Sequence, residues 1–137
     1  MREREFQTEF GKRNKVVGCF ELKFCKGTSL PFNALADHQI KALLDAACDF
    51  GLFHKITDQP VFKGSKARFT RPKPFDCFFL TNTDSYVVVM FWIPRKKKNV
   101  YYISIETWVY MVEAAGRKSL NEEMAIEFAT FKESYLK

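Results

Sequence analysis

Apolar and polar positions alternate from residue 19 to residue 25, CFELKFC. In a strand, Phe20, Leu22 and Phe24 project to one side, and Glu21 and Lys23 share the other. Upstream, Phe6 and Phe10 stand four apart in REREFQTEFGKRN, the spacing of a short helix with one apolar face that ends near Gly11. Residues 16–25 follow as the opening strand, and KGTSLPFN is a turn with Gly27 and Pro31 as breakers. In ADHQIKALLDAACDFG, Ile40, Leu43, Leu44 and Ala47 recur at helical spacing, with Asp37 as N-cap and Gly51 as stop. LFHKITD predicts a short strand. The apolar runs FDCFFL and SYVVVMFWI predict two more, parted by the polar turn TNTD, and NVYYISI predicts another after the basic turn PRKKK. TWVYMVEAAG predicts a helix over the sheet, and SLNEEMAIEFATFKESYLK, opening on a Ser119–Glu122 capping box, predicts a closing helix.

Strands mixed with helices, several of the strands apolar on both faces, predict an α/β fold whose mixed central sheet is flanked by helices. At 137 residues the chain suits a single domain over 1–137 with a substantial core. There is no internal repeat. No apolar run approaches a membrane span, and MREREFQTEF lacks a signal peptide's apolar stretch, so a cytoplasmic protein without a membrane partner is expected. Cys19, Cys25, Cys48 and Cys77 form no C-x-x-C pair and no zinc-like spacing with His38 or His54, which predicts reduced, mostly buried thiols. The net charge of +6 suits a polyanionic partner.

Glu21 and Lys23 raise the chemical question. A carboxylate and an ammonium on a central strand are costly unless they pair or bind something. A solvated face accounts for most isolated E-x-K triplets. A second acid, Asp76, opens the apolar strand in KPFDCFFL, although by itself it reads as a strand cap or a partner of Lys73. Were those strands adjacent, Asp76 and Glu21 would converge on one divalent cation, with the Leu22 backbone carbonyl as a third oxygen ligand. That set suits Mg²⁺, with Mn²⁺ as the alternative ion. Lys23 would then sit beside the attacking water and the charge developing on a phosphate.

The run ELKFCKGTSLPFNALADHQIKALL resembles the core of the RecU-like Holliday-junction resolvases, within the PD-(D/E)xK nuclease superfamily. The resemblance rests on Glu21 and Lys23, Thr28-Ser29, Leu30-Pro31-Phe32 and His38-Gln39-Ile40, in order and at matching spacing. It implies a restriction-endonuclease-like PD-(D/E)xK core and a Mg²⁺-dependent DNA endonuclease that cuts branched DNA as a homodimer, encoded by a bacterium or phage. ARFTRPKPFDCFFL resembles the strand bearing the family's metal-binding Asp, which maps onto Asp76. SYVVVMFWI and NVYYISIETW resemble the closing strands and the Trp-bearing segment. The order departs from the family, where the Asp strand precedes E-x-K. A permuted arrangement is therefore expected, with Glu5 or Glu9 from the first helix as the alternative second carboxylate. The resemblance also singles out Gln39, whose amide would hold the attacking water or a phosphate oxygen beside the N-terminus of its helix.

The loop of residues 59–75 carries Lys63, Lys66, Arg68, Arg71 and Lys73 around Phe62 and Phe69, with no acid among them, and leads into Asp76. It is the expected DNA contact surface, joined by Ser29 in the turn after E-x-K. No base-reading motif is present, so selectivity would be for DNA shape. Two other readings stand beside the resolvase: a non-catalytic DNA-binding module on the same fold, and a nuclease acting on single strands, flaps or nicks.

Overall fold

Ser85 to Phe91 is a run of seven consecutive buried residues, as in a strand covered on both faces. In the computed structural model, which describes residues 1–55, 61–68 and 77–135, this run lies at the heart of the fold. The elements in chain order are α1 (Glu3–Arg13), β1 (Cys19–Lys26), β2 (Ser29–Pro31), a 3-10 turn (Phe32–Ala34), α2 (Asp37–Ala47), β3 (Leu52–Lys55), β4 (Cys77–Leu80), β5 (Ser85–Trp92), β6 (Lys98–Ser104), α3 (Ile105–Ala114), β7 (Ser119–Asn121), α4 (Glu122–Phe128) and β8 (Phe131–Tyr135). The central sheet has the order β1-β5-β6-β8, with β1 parallel to β5 and the remaining pairs antiparallel. The architecture is therefore mixed α/β, with a mixed central sheet flanked by helices.

Each face of β5 meets a different core. Tyr86, Val88 and Met90 join Phe6 and Phe10 of α1, with Val100, Tyr102 and Tyr135 from β6 and β8. Val87, Val89 and Phe91 join Leu43 of α2, Trp108 and Met111 of α3, and Ala125 of α4. The alternation along β1 sorts in the same way. Phe20, Leu22 and Phe24 pack toward α1, with Phe10 and Phe20 rings 5.3 Å apart, so Glu21 and Lys23 are turned toward α2.

Several expectations require correction. β1 is an edge strand of this sheet among the described residues, not a central one, because its neighbour is β5 alone. That lowers the cost of its two charges, since an edge strand is reached by solvent. The last segment is not one helix. Ser119–Asn121 pairs with Pro31–Ser29 as β7, Asn121 caps the short α4, and Phe131–Tyr135 returns as β8 beside β6. Asp37 is the first residue of α2, and its cap position is Ala36. Of the four free cysteines only Cys25 is fully buried.

β3 and β4 form a separate antiparallel ribbon. β4 thus pairs with β3 and not with β1, so these strands do not have the adjacency expected for an Asp76–Glu21 pair.

Candidate functional site

Glu21 and Lys23 need a polar partner on the face they share, and the first turn of α2 provides it. Gln39 stands at the third position of that helix, where a Gln side chain can reach back to the backbone of the cap residue. Its Oε1 accepts the Ala36 N–H at 3.0 Å, which fixes the side chain. The same oxygen accepts from Lys23 Nζ at 3.1 Å, while Gln39 Nε2 donates to Glu21 Oε1 at 2.9 Å. Lys23 Nζ lies 3.3 Å from that carboxylate oxygen. The three side chains close a ring of contacts, and each is only partly exposed, Lys23 at 17 % and Glu21 at 30 %.

The geometry follows from element placement. β1 sets Glu21 and Lys23 two residues apart on one face. The turn through β2 then brings the start of α2 back over that face. Because the N-terminal turn of α2 is the part that arrives, its positive dipole end sits beside the group. Burial pushes the Cys19 thiol up from its ordinary value, and the neighbouring Glu21 charge pushes it further. Glu21 Oε1 is engaged by Gln39 and Lys23, whereas no hydrogen bond within the described residues reaches Oε2. That oxygen is the group's candidate ligand for a hard cation such as Mg²⁺, which takes carboxylate and water oxygens. Among the described residues no three His, Cys, Asp or Glu side chains group together as a ready-made metal cage.

Other site expectations divide. Asp76, Arg71 and Lys73 lie outside the described residues. Leu22 sends its side chain to the α1 face. The structure does not bring Glu5 or Glu9 to the group, because α1 packs on the opposite face of the sheet. Glu5 accepts the Arg2 N–H at 2.8 Å, and Glu9 pairs with Arg13 and Lys12. Arg13's hydrogen bond holds the Glu9 carboxyl below its usual range. Lys63, Lys66 and Arg68 are exposed, the last donating to the Ser65 carbonyl. Ser29 is exposed in β2, where its carbonyl accepts from the Cys25 thiol. His38 and His54 are both on the surface.

One surface escaped the pattern-based reading. Phe78 and Phe79 belong to the apolar run FDCFFL and Phe53 to the short strand predicted for LFHKITD, yet all three are exposed on the β3–β4 ribbon. The available signal was the crowding of seven of the fifteen phenylalanines into residues 50–80, together with most of the chain's excess positive charge.

In comparisons with known proteins, no family model, curated protein or solved structure matches the chain. No helix among the described residues is long and apolar enough to cross a membrane.

Proposed function

We propose that the chain is a metal-dependent DNA endonuclease with a restriction-endonuclease-like PD-(D/E)xK core, acting as a homodimer on branched DNA such as a Holliday junction. The observation that carries this reading is the Glu21–Gln39–Lys23 group at the N-terminus of α2. Phosphodiester hydrolysis needs an anionic oxygen to hold a cation, a positive charge beside the phosphate, and fixed spacing between them. Glu21 offers Oε2 for Mg²⁺. When bound, the ion supplies Lewis acidity at a phosphate oxygen and lowers the pKa of water. Lys23 sets a positive charge within the same group. Gln39 positions both side chains through one amide tied to the α2 backbone, and the helix end favours an arriving phosphate.

The test is cleavage of a labelled four-way junction, beside linear duplex and single strand, in Mg²⁺, Mn²⁺ or EDTA. Glu21→Gln, Lys23→Ala and Gln39→Ala proteins run alongside, each checked for folding by circular dichroism. Cutting that requires metal, falls at least about a hundredfold in the first two variants and about tenfold in Gln39→Ala is the expected result. The substrate ranking separates a resolvase from a nuclease of single strands, flaps or nicks. Tight binding without cutting in any metal overturns the enzyme and leaves a DNA-binding module.

A further inference from the structure

An excursion leaves the fold after α2 and re-enters it at Thr81, at one place, and its described residues are 50–55, 61–68 and 77–80. Its base is stitched by the Asn82 N–H to the Cys48 carbonyl at 3.0 Å and the Thr83 N–H to the Ala46 carbonyl at 2.9 Å. The Thr81 hydroxyl reaches the carbonyls of Cys48 and Asp49, at 3.2 Å each. Among the described residues, β3 and β4 pair only with each other. The register sets Phe53 opposite Phe79 and His54 opposite Phe78, so each face of the ribbon bears an aromatic pair. The His54 and Phe78 rings lie 5.1 Å apart. Phe53 and Phe79 are each 56 % exposed and Phe78 is 44 % exposed, and Phe50 and Phe62 are more open still.

This exposure is built into the backbone. Gly51 has φ +85°, and a Cβ there would fall 2.3 Å from Phe79 Cζ. The bare glycine backbone lets the Phe79 ring lie on it, leaving the rest of the ring outward. Aromatic surface of this kind on a soluble protein marks a binding site, and charge indicates what binds. Six basic and two acidic side chains lie in residues 50–80, so the excursion carries +4 of the chain's net +6. Two copies of it would repel one another, whereas a polyanion with flat apolar parts would match both the charge and the rings.

We infer that the β3–β4 ribbon is a stacking platform for unpaired DNA bases, with Lys63, Lys66 and Arg68 of its connecting segment on the neighbouring phosphates. Single-strand binders combine these two elements, because every base offers a π-face and every linkage a charge. The choice of DNA rests on the endonuclease reading above, whereas the stacking surface does not depend on catalysis.

The experiment is fluorescence anisotropy of labelled oligothymidine in EDTA, so that binding is read without metal-dependent cutting. The full chain, Phe53→Ala, Phe79→Ala, Phe79→Leu, Phe79→Trp and Lys63→Ala/Lys66→Ala proteins are compared. The full chain is expected to prefer oligothymidine to blunt duplex. Each alanine variant should lose about tenfold in affinity. Phe79→Leu should stay weak, since it keeps apolar bulk without a π-face, and Phe79→Trp should bind at least as well as the full chain. The double lysine variant should flatten the dependence of affinity on salt. The platform is overturned if the full chain does not bind oligothymidine, or if the alanine variants bind as it does. It is equally overturned if the chain is a dimer that Phe79→Ala splits, or if it binds anionic vesicles through Phe79 in place of oligothymidine. Oligothymidine binding that survives while no junction is cut would sink the endonuclease and leave the platform standing.

Discussion

At the scale of single residues, neighbours on a strand meet very different surroundings. Tyr101 and Tyr102 are adjacent on β6, and their hydroxyls point to opposite cores. Tyr101 donates to Glu122 at 2.7 Å and Tyr102 to Asn14 at 3.0 Å. Asn14 also brackets Val16 with two hydrogen bonds, so Tyr102 anchors the link from α1 to β1. Burial, helped by the Glu133 charge, pushes the Tyr102 phenol up to about 12. An acid whose folded pKa is raised holds its proton more tightly in the native state. Its contribution is therefore complete below the unfolded value of about 10 and is lost as pH climbs toward about 12. Urea midpoints measured between those two pH values should fall for the native chain and fall less steeply for Tyr102→Phe. At neutral pH the same variant should lose about 1 kcal/mol, the hydrogen bond to Asn14. Equal alkaline slopes in the two proteins would remove Tyr102 from the transition.

Among elements, the start of α4 separates what local pattern reveals from what pairing decides. Ser119 and Glu122 have the spacing of a capping box, but Ser119 is committed to β7 opposite Pro31. The cap is Asn121, whose Oδ1 accepts the Met124 N–H at 2.9 Å. Asn121→Ala should therefore cost about 1 kcal/mol and lower the thermal midpoint by a few degrees, while Ser119→Ala should stay within about 0.5 kcal/mol. The opposite ranking would restore the sequence-based boundary. α2 was legible because Ile40 and Leu43 already carry the helical period, and β5 because its apolar run is long. β8 was not, since FKESY acquires strand identity from its ladder with β6, some thirty residues back. For the same reason the alternation in CFELKFC discloses the two faces of β1 but not its position at the sheet edge. Glu21, Lys23 and Gln39 stood out by resemblance, yet Gln39's role as their shared partner depends on how the turn folds α2 over β1. The ribbon was misread because apolar composition reports burial only on average.

For the molecule as a whole, the parallel pairing of β1 with β5 sets an order of events. Cys19 lies opposite Ser85, about 66 residues away in sequence, while β5 and β6 are joined by the short turn of residues 93–97 and β8 returns to β6 after α3, β7 and α4. Closing the short loop first is entropically favoured, so the β5–β6 hairpin should assemble early and β1 should dock late. Hydrogen exchange should show it directly, with amides of β1 opening at lower free energy than those of β5 and β6. Uniform protection across the sheet would contradict that order. Glu21 and Lys23 ride on the strand expected to dock late. A chain still emerging from synthesis, or transiently frayed at that edge, therefore lacks the Glu21–Gln39–Lys23 ring, so the chemistry proposed for it would be gated by completion of the fold itself.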